Sequence, residues 1–126
     1  MDLGIRGRTA IVCASSKGIG RGCADALAQA GCDLVVNGRG ADLLAATAAD
    51  IRARHGVKVT EIVGDISDPD VQKAILAAAP EADILVNNNG GPPPRPFAEL
   101  DREKILAGVT QNMVTAIELV QAVLPG

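Results

Sequence analysis

Residues Ile11-Val12-Cys13-Ala14-Ser15-Ser16-Lys17-Gly18-Ile19-Gly20-Arg21 decide the fold of this chain. The apolar run over 9–14 predicts a short buried strand. Ser15, Ser16 and Lys17 break that run, and Gly18-Ile19-Gly20 opens an alanine-rich helical pattern. Strand, glycine turn and helix, in that order, aim free backbone N–H groups and the positive end of a helix dipole at one point. That point suits a phosphate. Gly18 and Gly20 carry no Cβ, so a pyrophosphate can approach the backbone and the helix can lie close on the strand. Two glycines in a turn say little alone; the strand before them and the helix after them supply the context.

Outward from this turn, strand and helix patterns alternate. Leu34-Val35-Val36 predicts a second buried strand. Asp42 is a candidate cap for a helix running to about His55, with Leu44, Ala48 and Ile51 on one face. A third strand is expected over 57–63. Asp68 or Pro69 then starts a helix with Val71, Ile75 and Ala78 inward. Ile84-Leu85-Val86 makes a fourth strand, and the prolines of 90–96 impose an extended, stiff path. Asp101 is a plausible N-cap for a long helix over about 102–124. Short strands joined by helices mean a parallel sheet with right-handed crossovers. The expected fold class is α/β, the first half of a doubly wound, Rossmann-type nucleotide-binding sheet with strand order 3-2-1-4. One domain spans 1–126, without repeats or linkers.

Composition narrows the function. The 126 residues include a single aromatic, Phe97, so the core is aliphatic. A net charge of −3 and the lack of any Lys/Arg cluster argue against a nucleic-acid partner. Cys13, Cys23 and Cys32 lack metal-type spacing and fall on apolar positions. They read as buried free thiols, and no metal site is expected. With no signal-like N-terminal segment and no apolar run of membrane-spanning length, the expectation is a soluble, cytoplasmic protein with no membrane partner. His55, the only histidine, precedes Gly56 at a helix end; it is expected to be exposed and without a role.

The opening stretch also resembles the cofactor loop of the short-chain dehydrogenase/reductase family, Thr-Gly-x-x-x-Gly-x-Gly. Cys13 stands at the Thr position and Ala14 at the first Gly position, while Lys17, Gly18, Ile19 and Gly20 match the remainder, with Ser16 inside the loop. A methyl group at Ala14 would shift the turn or tighten the space beside the adenosine ribose. The resemblance continues in order along the whole chain. It implies hydride transfer between a nicotinamide dinucleotide and a small carbonyl or alcohol substrate, by a homo-oligomer of two or four subunits.

NAD-using members of that family carry an acidic residue after the second strand; here the strand ends Asn37-Gly38-Arg39. Arg39 suits a 2′-phosphate, and Lys17 resembles the second basic residue of NADP-preferring members. Two such contacts at ~1.5–3 kcal/mol each would favour NADP over NAD by well over tenfold. Either residue alone also reads as a solvated surface charge. Asp65-Ile66 resembles the pair that meets the adenine edge; Asp65 could equally shape the turn before Asp68. Asn87-Asn88-Asn89-Gly90 stands where the family has Asn-Asn-Ala-Gly. This implies that Asn88, Asn89 and Gly90 brace the strand end against the first loop and the nicotinamide ribose.

In the last helix Ile105, Val109, Asn112, Ala116, Val120 and Val123 form one stripe, which turns Asn112 inward. Glu103, Lys104, Gln111 and Glu118 fall mostly opposite. A buried amide costs on the order of 1–3 kcal/mol if unpaired, so Asn112 should have partners. It either fixes helix packing through a neighbouring backbone group or, as the resemblance implies, belongs to a catalytic proton relay.

The family's Ser, Tyr and Lys lie beyond this helix, and the chain has no tyrosine. Losing a positioned general acid forfeits roughly 10²–10⁴ in rate. The 126 residues alone are therefore expected not to turn over. They are expected to be the cofactor half of a longer polypeptide whose catalytic second half is absent here, with the fourth strand left as a sheet edge. The proline-rich loop resembles that of 3-oxoacyl-carrier-protein reductases and should border the substrate cleft. The alternative from another class is a non-catalytic NADP(H)-binding sensor or scaffold module.

Overall fold

Apolar runs without alternation need burial on both faces, and the first two strands obtain it. In the computed structural model, which describes residues 2–90 and 94–125, β1 (Thr9–Val12) and β2 (Asp33–Gly38) lie at the centre of a four-stranded sheet. β3 (Val59–Val63) and β4 (Ile84–Val86) flank them in the order β3-β2-β1-β4. All pairs are parallel; Ile11 stands between Val35 and Leu85 in register. Between the strands run α1 (Gly18–Gln29), α2 (Ala41–His55) and α3 (Pro69–Ala78). After a 3₁₀ turn (Phe97–Glu99), one long helix consists of α4 (Arg102–Val109), a π turn (Thr110–Val114) and α5 (Thr115–Val123).

Alternate strand residues serve two cores, as a sheet covered on both faces requires. Ala10, Val12, Leu34 and Val36 meet Ala24 and Ala28 of α1 and Leu44, Ala48 and Ile51 of α2. Ile11, Cys13 and Val35 meet Ile66, Ile75 of α3 and Leu119 of α5. The small alanines let α1 approach the sheet closely. Every strand points the same way, so the four loops that follow them gather at one rim. Among the described residues no helix is long and apolar enough to cross a membrane.

Several local expectations need correction. The third strand begins at Val59, two residues late. Asp42 does not cap α2: Gly40 holds the cap position without a side-chain bond, and Asp42 sits in the first turn, where a carboxylate still favours the dipole. Asp68 caps α3 by accepting the Asp70 N–H, with Pro69 as the first helical residue. The inward residues of this segment are Gln72, Ile75 and, just past α3, Ala79; Val71 is half-buried and Ala78 is exposed. Gln72 is tolerated inside because its Nε2 donates to the Ile66 carbonyl at 3.0 Å. His55 is not exposed. Its side chain is 14% accessible and its Nε2 lies 3.0 Å from Asp25 Oδ1, where Arg54 joins Asp25 to Asp50 across α1 and α2. Cys13 and Cys32 are buried free thiols; Cys23 is only half-buried.

The largest correction concerns the long helix. Asp101 caps it as expected, accepting the Lys104 N–H. The stripe that faces the molecule, however, is Lys104, Gly108, Gln111, Thr115, Leu119 and Val123, one residue off the expected stripe over most of its length, with only Ala116 and Val123 half-buried as expected. Ile105 is 52% exposed and Val120 39%, and Asn112 is exposed. The helix is apolar on more than one face, so hydrophobic period alone cannot choose among them. The choice falls to Gln111 and Thr115, which suit the amide-rich end of β4. Of the proline loop, Gly91, Pro92 and Pro93 lie outside the described residues, and 94–96 carry no regular structure.

Candidate cofactor cleft

The cleft begins where β1 ends. Ala14 turns the chain with φ +48°, a left-handed conformation that costs an L-residue about 1–2 kcal/mol. Two buried side chains hold that turn. Ser15 Oγ donates to the Val12 carbonyl at 2.8 Å, and the Ser15 N–H donates to the Asn37 carbonyl at 2.7 Å. Asn37 Oδ1 accepts the Ala14 N–H at 3.1 Å, and its Nδ2 donates to the carbonyls of Ile62 and Gly64 at 3.1 and 3.0 Å. One carboxamide thus ties the ends of β1, β2 and β3. An Ala14→Gly substitution relieves the positive φ but loosens the unfolded chain. The net expectation is a gain of ~0.5–1 kcal/mol, less than the strain itself. A higher urea midpoint reads this out; an unchanged midpoint would count against strain at Ala14.

The first turn of α1 closes over this loop. A Cβ on Gly20 would stand 2.2 Å from the Ala14 carbonyl oxygen and 2.8 Å from Asn88 Nδ2, so helix and loop are in direct backbone contact. Asn88 Nδ2 donates to that same carbonyl at 3.2 Å. On the other side, a Cβ on Gly18 (φ +64°) would meet nothing within 4 Å. Lys17 occupies the cap position in extended geometry with no side-chain bond, and the first turn holds no acidic residue. The leading N–H groups of α1, which a helix cannot satisfy internally, are therefore uncapped by any side chain.

Above them lies a cleft of about 270 Å³. The β1–α1 loop contributes Ala14, Ser16, Lys17, Gly18 and Ile19; the end of β2 contributes Asn37, Gly38 and Arg39. Gly64, Asp65 and Ile66 come from the end of β3, and Asn88, Asn89 and Gly90 from the end of β4. Of the residues singled out from sequence, only Gly20 and Asn112 are not on its wall. Gly20 stands behind the wall and sets its depth. Asn112 borders a second cavity of about 230 Å³ with Asn87, Asn88, Asn89, Gln111 and Thr115. It is not turned inward; its Nδ2 donates to the Gly108 carbonyl one turn back at 3.0 Å.

Charge at the cleft is mixed. Lys17 and Arg39 are exposed on its wall. Bonds from the Ser67 hydroxyl and N–H hold the Asp65 carboxyl below the usual range, with Arg39 adding to the effect. Asp65 shapes its turn through those two bonds, at 2.6 and 2.9 Å, while lining the cleft. Burial pushes the Cys13 thiol up to about 11, so it is uncharged at neutral pH. Sequence reading gave no role to Asn37, Gly38 or Gly64. The one available sign was a polar residue, Asn37, ending an otherwise apolar strand.

Comparison with known proteins agrees with this architecture. A family model described as short chain dehydrogenase matches residues 8–126. L-xylulose reductase of Cavia porcellus is 32% identical over 126 residues, covering all of this chain and 50% of that protein. NADPH-dependent reductase BacG of Bacillus subtilis (strain 168) is 33% identical over 119 residues, 90% of this chain and 46% of that protein. The crystal structure of L-sorbose reductase from Gluconobacter frateurii, complexed with NADPH and L-sorbose, matches with a TM-score of 0.93 at 31% identity. The match covers 99% of this chain and 49% of that one. The chain thus spans about half the length of the relatives it matches. The glycine turn, the β3-β2-β1-β4 parallel sheet and the family match together show that the chain belongs to the short chain dehydrogenase family.

Proposed function

We propose that this chain binds NADP(H) in the cleft and forms the cofactor-binding part of an oxidoreductase acting on a carbonyl or alcohol compound. One observation carries the reading: the uncapped start of α1 opens into a cleft whose wall also bears Lys17 and Arg39. The residues fit the group. N–H groups of Gly18 and Ile19 hold a diphosphate, with no Cβ at Gly18 in the way, and Gly20 keeps the helix start low against the loop. Arg39 and Lys17 hold a 2′-phosphate by charge-assisted bonds. Asp65 and Ile66 take the adenine, and Asn88, Asn89 and Gly90 take the opposite end. Ala14 and Ser16 shape the floor between them.

The bound cofactor supplies hydride for a carbonyl carbon, or takes it in the reverse direction; the chain's own residues bind and orient it. Asn112, beside the asparagine-lined second cavity, is the chain's candidate for the proton relay. The tyrosine that would move the proton is not among these 126 residues, so the chain by itself is proposed to bind without turnover. The second reading is a sensor or scaffold that binds NADP(H) without chemistry; a Tyr-x-x-x-Lys motif encoded after Gly126, and consumption of NADPH with a carbonyl compound by the polypeptide carrying it, would favour the enzyme. The names L-xylulose reductase and L-sorbose reductase make polyhydroxy ketones the first substrates to try, ahead of 3-oxoacyl compounds.

Titration with NADPH and NADH tests the cofactor. NADPH should bind more tightly by well over tenfold, and Arg39→Glu should remove about tenfold or more of that preference while leaving NADH nearly unchanged. Equal affinities in the unaltered protein would sink the reading of Arg39 and Lys17.

A further inference from the structure

At the β4 end of the cleft, two amide side chains each hold the backbone of the other's segment. Asn89 Nδ2 donates to the main-chain carbonyl of Gln111 at 3.0 Å. Gln111 Nε2 donates to the carbonyl of Gly90 at 2.9 Å, and the Gly90 N–H donates to Asn89 Oδ1 at 2.9 Å. The π turn makes this possible. Thr115 directs its N–H to Thr110, five residues back, instead of to Gln111, four back. The Gln111 carbonyl is thereby released to accept from Asn89.

The clasp joins two spaces. Asn89 and Gly90 line the cleft, while Asn89 and Gln111 line the second cavity, so the three bonds stitch the wall between them to the long helix. Alanine, which the family pattern has at position 89, makes neither side-chain bond. If the adenosine end of the dinucleotide lies by Arg39 and Asp65 and the diphosphate lies over α1, the remaining half extends onto Asn88, Asn89 and Gly90.

We propose that Asn89 and Gln111 are positioning residues that fix the β4-side wall of the cleft and so set its affinity for the nicotinamide half of the cofactor. This rests on the NADP(H) reading above. Both partners act through one set of bonds, so their removal should be non-additive.

The test compares NADPH with adenosine 2′,5′-bisphosphate, which carries the adenosine end alone, in purified protein and in Asn89→Ala, Gln111→Met and the double variant. Each single variant should weaken NADPH about five- to tenfold, the double variant no more than either single one, and the bisphosphate should stay within about twofold. Amide hydrogen exchange over 87–90, measured without any ligand, should quicken in each variant. Equal weakening of both probes, or unchanged NADPH affinity, or unchanged exchange, would overturn the clasp's positioning role. Failure of the unaltered protein to bind either probe would bring down the NADP(H) reading, and this proposal with it. Normal binding by the unaltered protein and by both single variants would bring down this proposal alone.

Discussion

Gly20→Val is expected to reduce NADPH affinity more than about 100-fold and to destabilise the fold by ~2–4 kcal/mol. The Cβ alone would stand 2.2 Å from the Ala14 carbonyl oxygen and 2.8 Å from Asn88 Nδ2. Neither neighbour can yield cheaply. Ala14 already sits at positive φ, and its carbonyl is fixed by the Asn88 amide. The start of α1 must lift from the rim, taking its free N–H groups away from the proposed diphosphate position. Gly18→Ala is the control. Its added methyl meets nothing within 4 Å, so the positive φ alone sets a stability cost of about 1 kcal/mol. Thermal melting and NADPH fluorescence titration read both effects. A Gly20→Val protein that bound NADPH normally would mean that the head of α1 is not where the diphosphate lies.

Asn37→Leu should be as damaging to the fold, at ~2–4 kcal/mol, although it keeps the same branched shape and number of side-chain heavy atoms. Asn37 is 1% exposed, so water cannot replace what its carboxamide supplies. The substitution removes the partner of the Ala14 N–H and the Asn37 bonds to the carbonyls of Ile62 and Gly64 at once, the Ile62 carbonyl keeping its place in the β2–β3 ladder. Orphaned polar groups at a part-buried site each cost up to about 1–3 kcal/mol, and groups sharing one side chain add incompletely. Urea unfolding measures the loss; a change under about 1 kcal/mol would show that water reaches these three groups. Ala14 and Gly64 form cleft wall, so NADPH affinity should fall alongside stability.

The sheet was legible because its signals are local. Unbroken apolar runs such as Leu34-Val35-Val36 call for burial on both faces, and that calls for parallel strands covered by helices. Parallel strands end at one rim, so Lys17, Arg39, Asp65 and Asn88, far apart in sequence, had to come together there. What escaped is non-local. Asn37 draws its partners from residues 14, 15, 62 and 64. His55 meets Asp25 thirty positions away, a pairing that no local pattern announces. The long helix misled for another reason. With Leu106, Met113 and Ile117 apolar beyond any one stripe, its period fits several orientations, and hydrogen bonding by Gln111 selected the one adopted.

The spatial order of the strands has a consequence for how the chain assembles. β1 meets β2 across a short span, a sequence separation of 23 from Ala14 to Asn37, but meets β4 across a separation of 74 from Ala14 to Asn88. Loop closure over the longer span costs about 1 kcal/mol more entropy, before any of it is recovered in contacts. A nascent chain leaving the ribosome can therefore nucleate β1, β2 and β3 with their two helices first, and recruits β4 afterwards to a template already in place. The Lys17, Arg39 and Asp65 sides of the cleft are built early in synthesis, and the wall of Asn88, Asn89 and Gly90 joins them later.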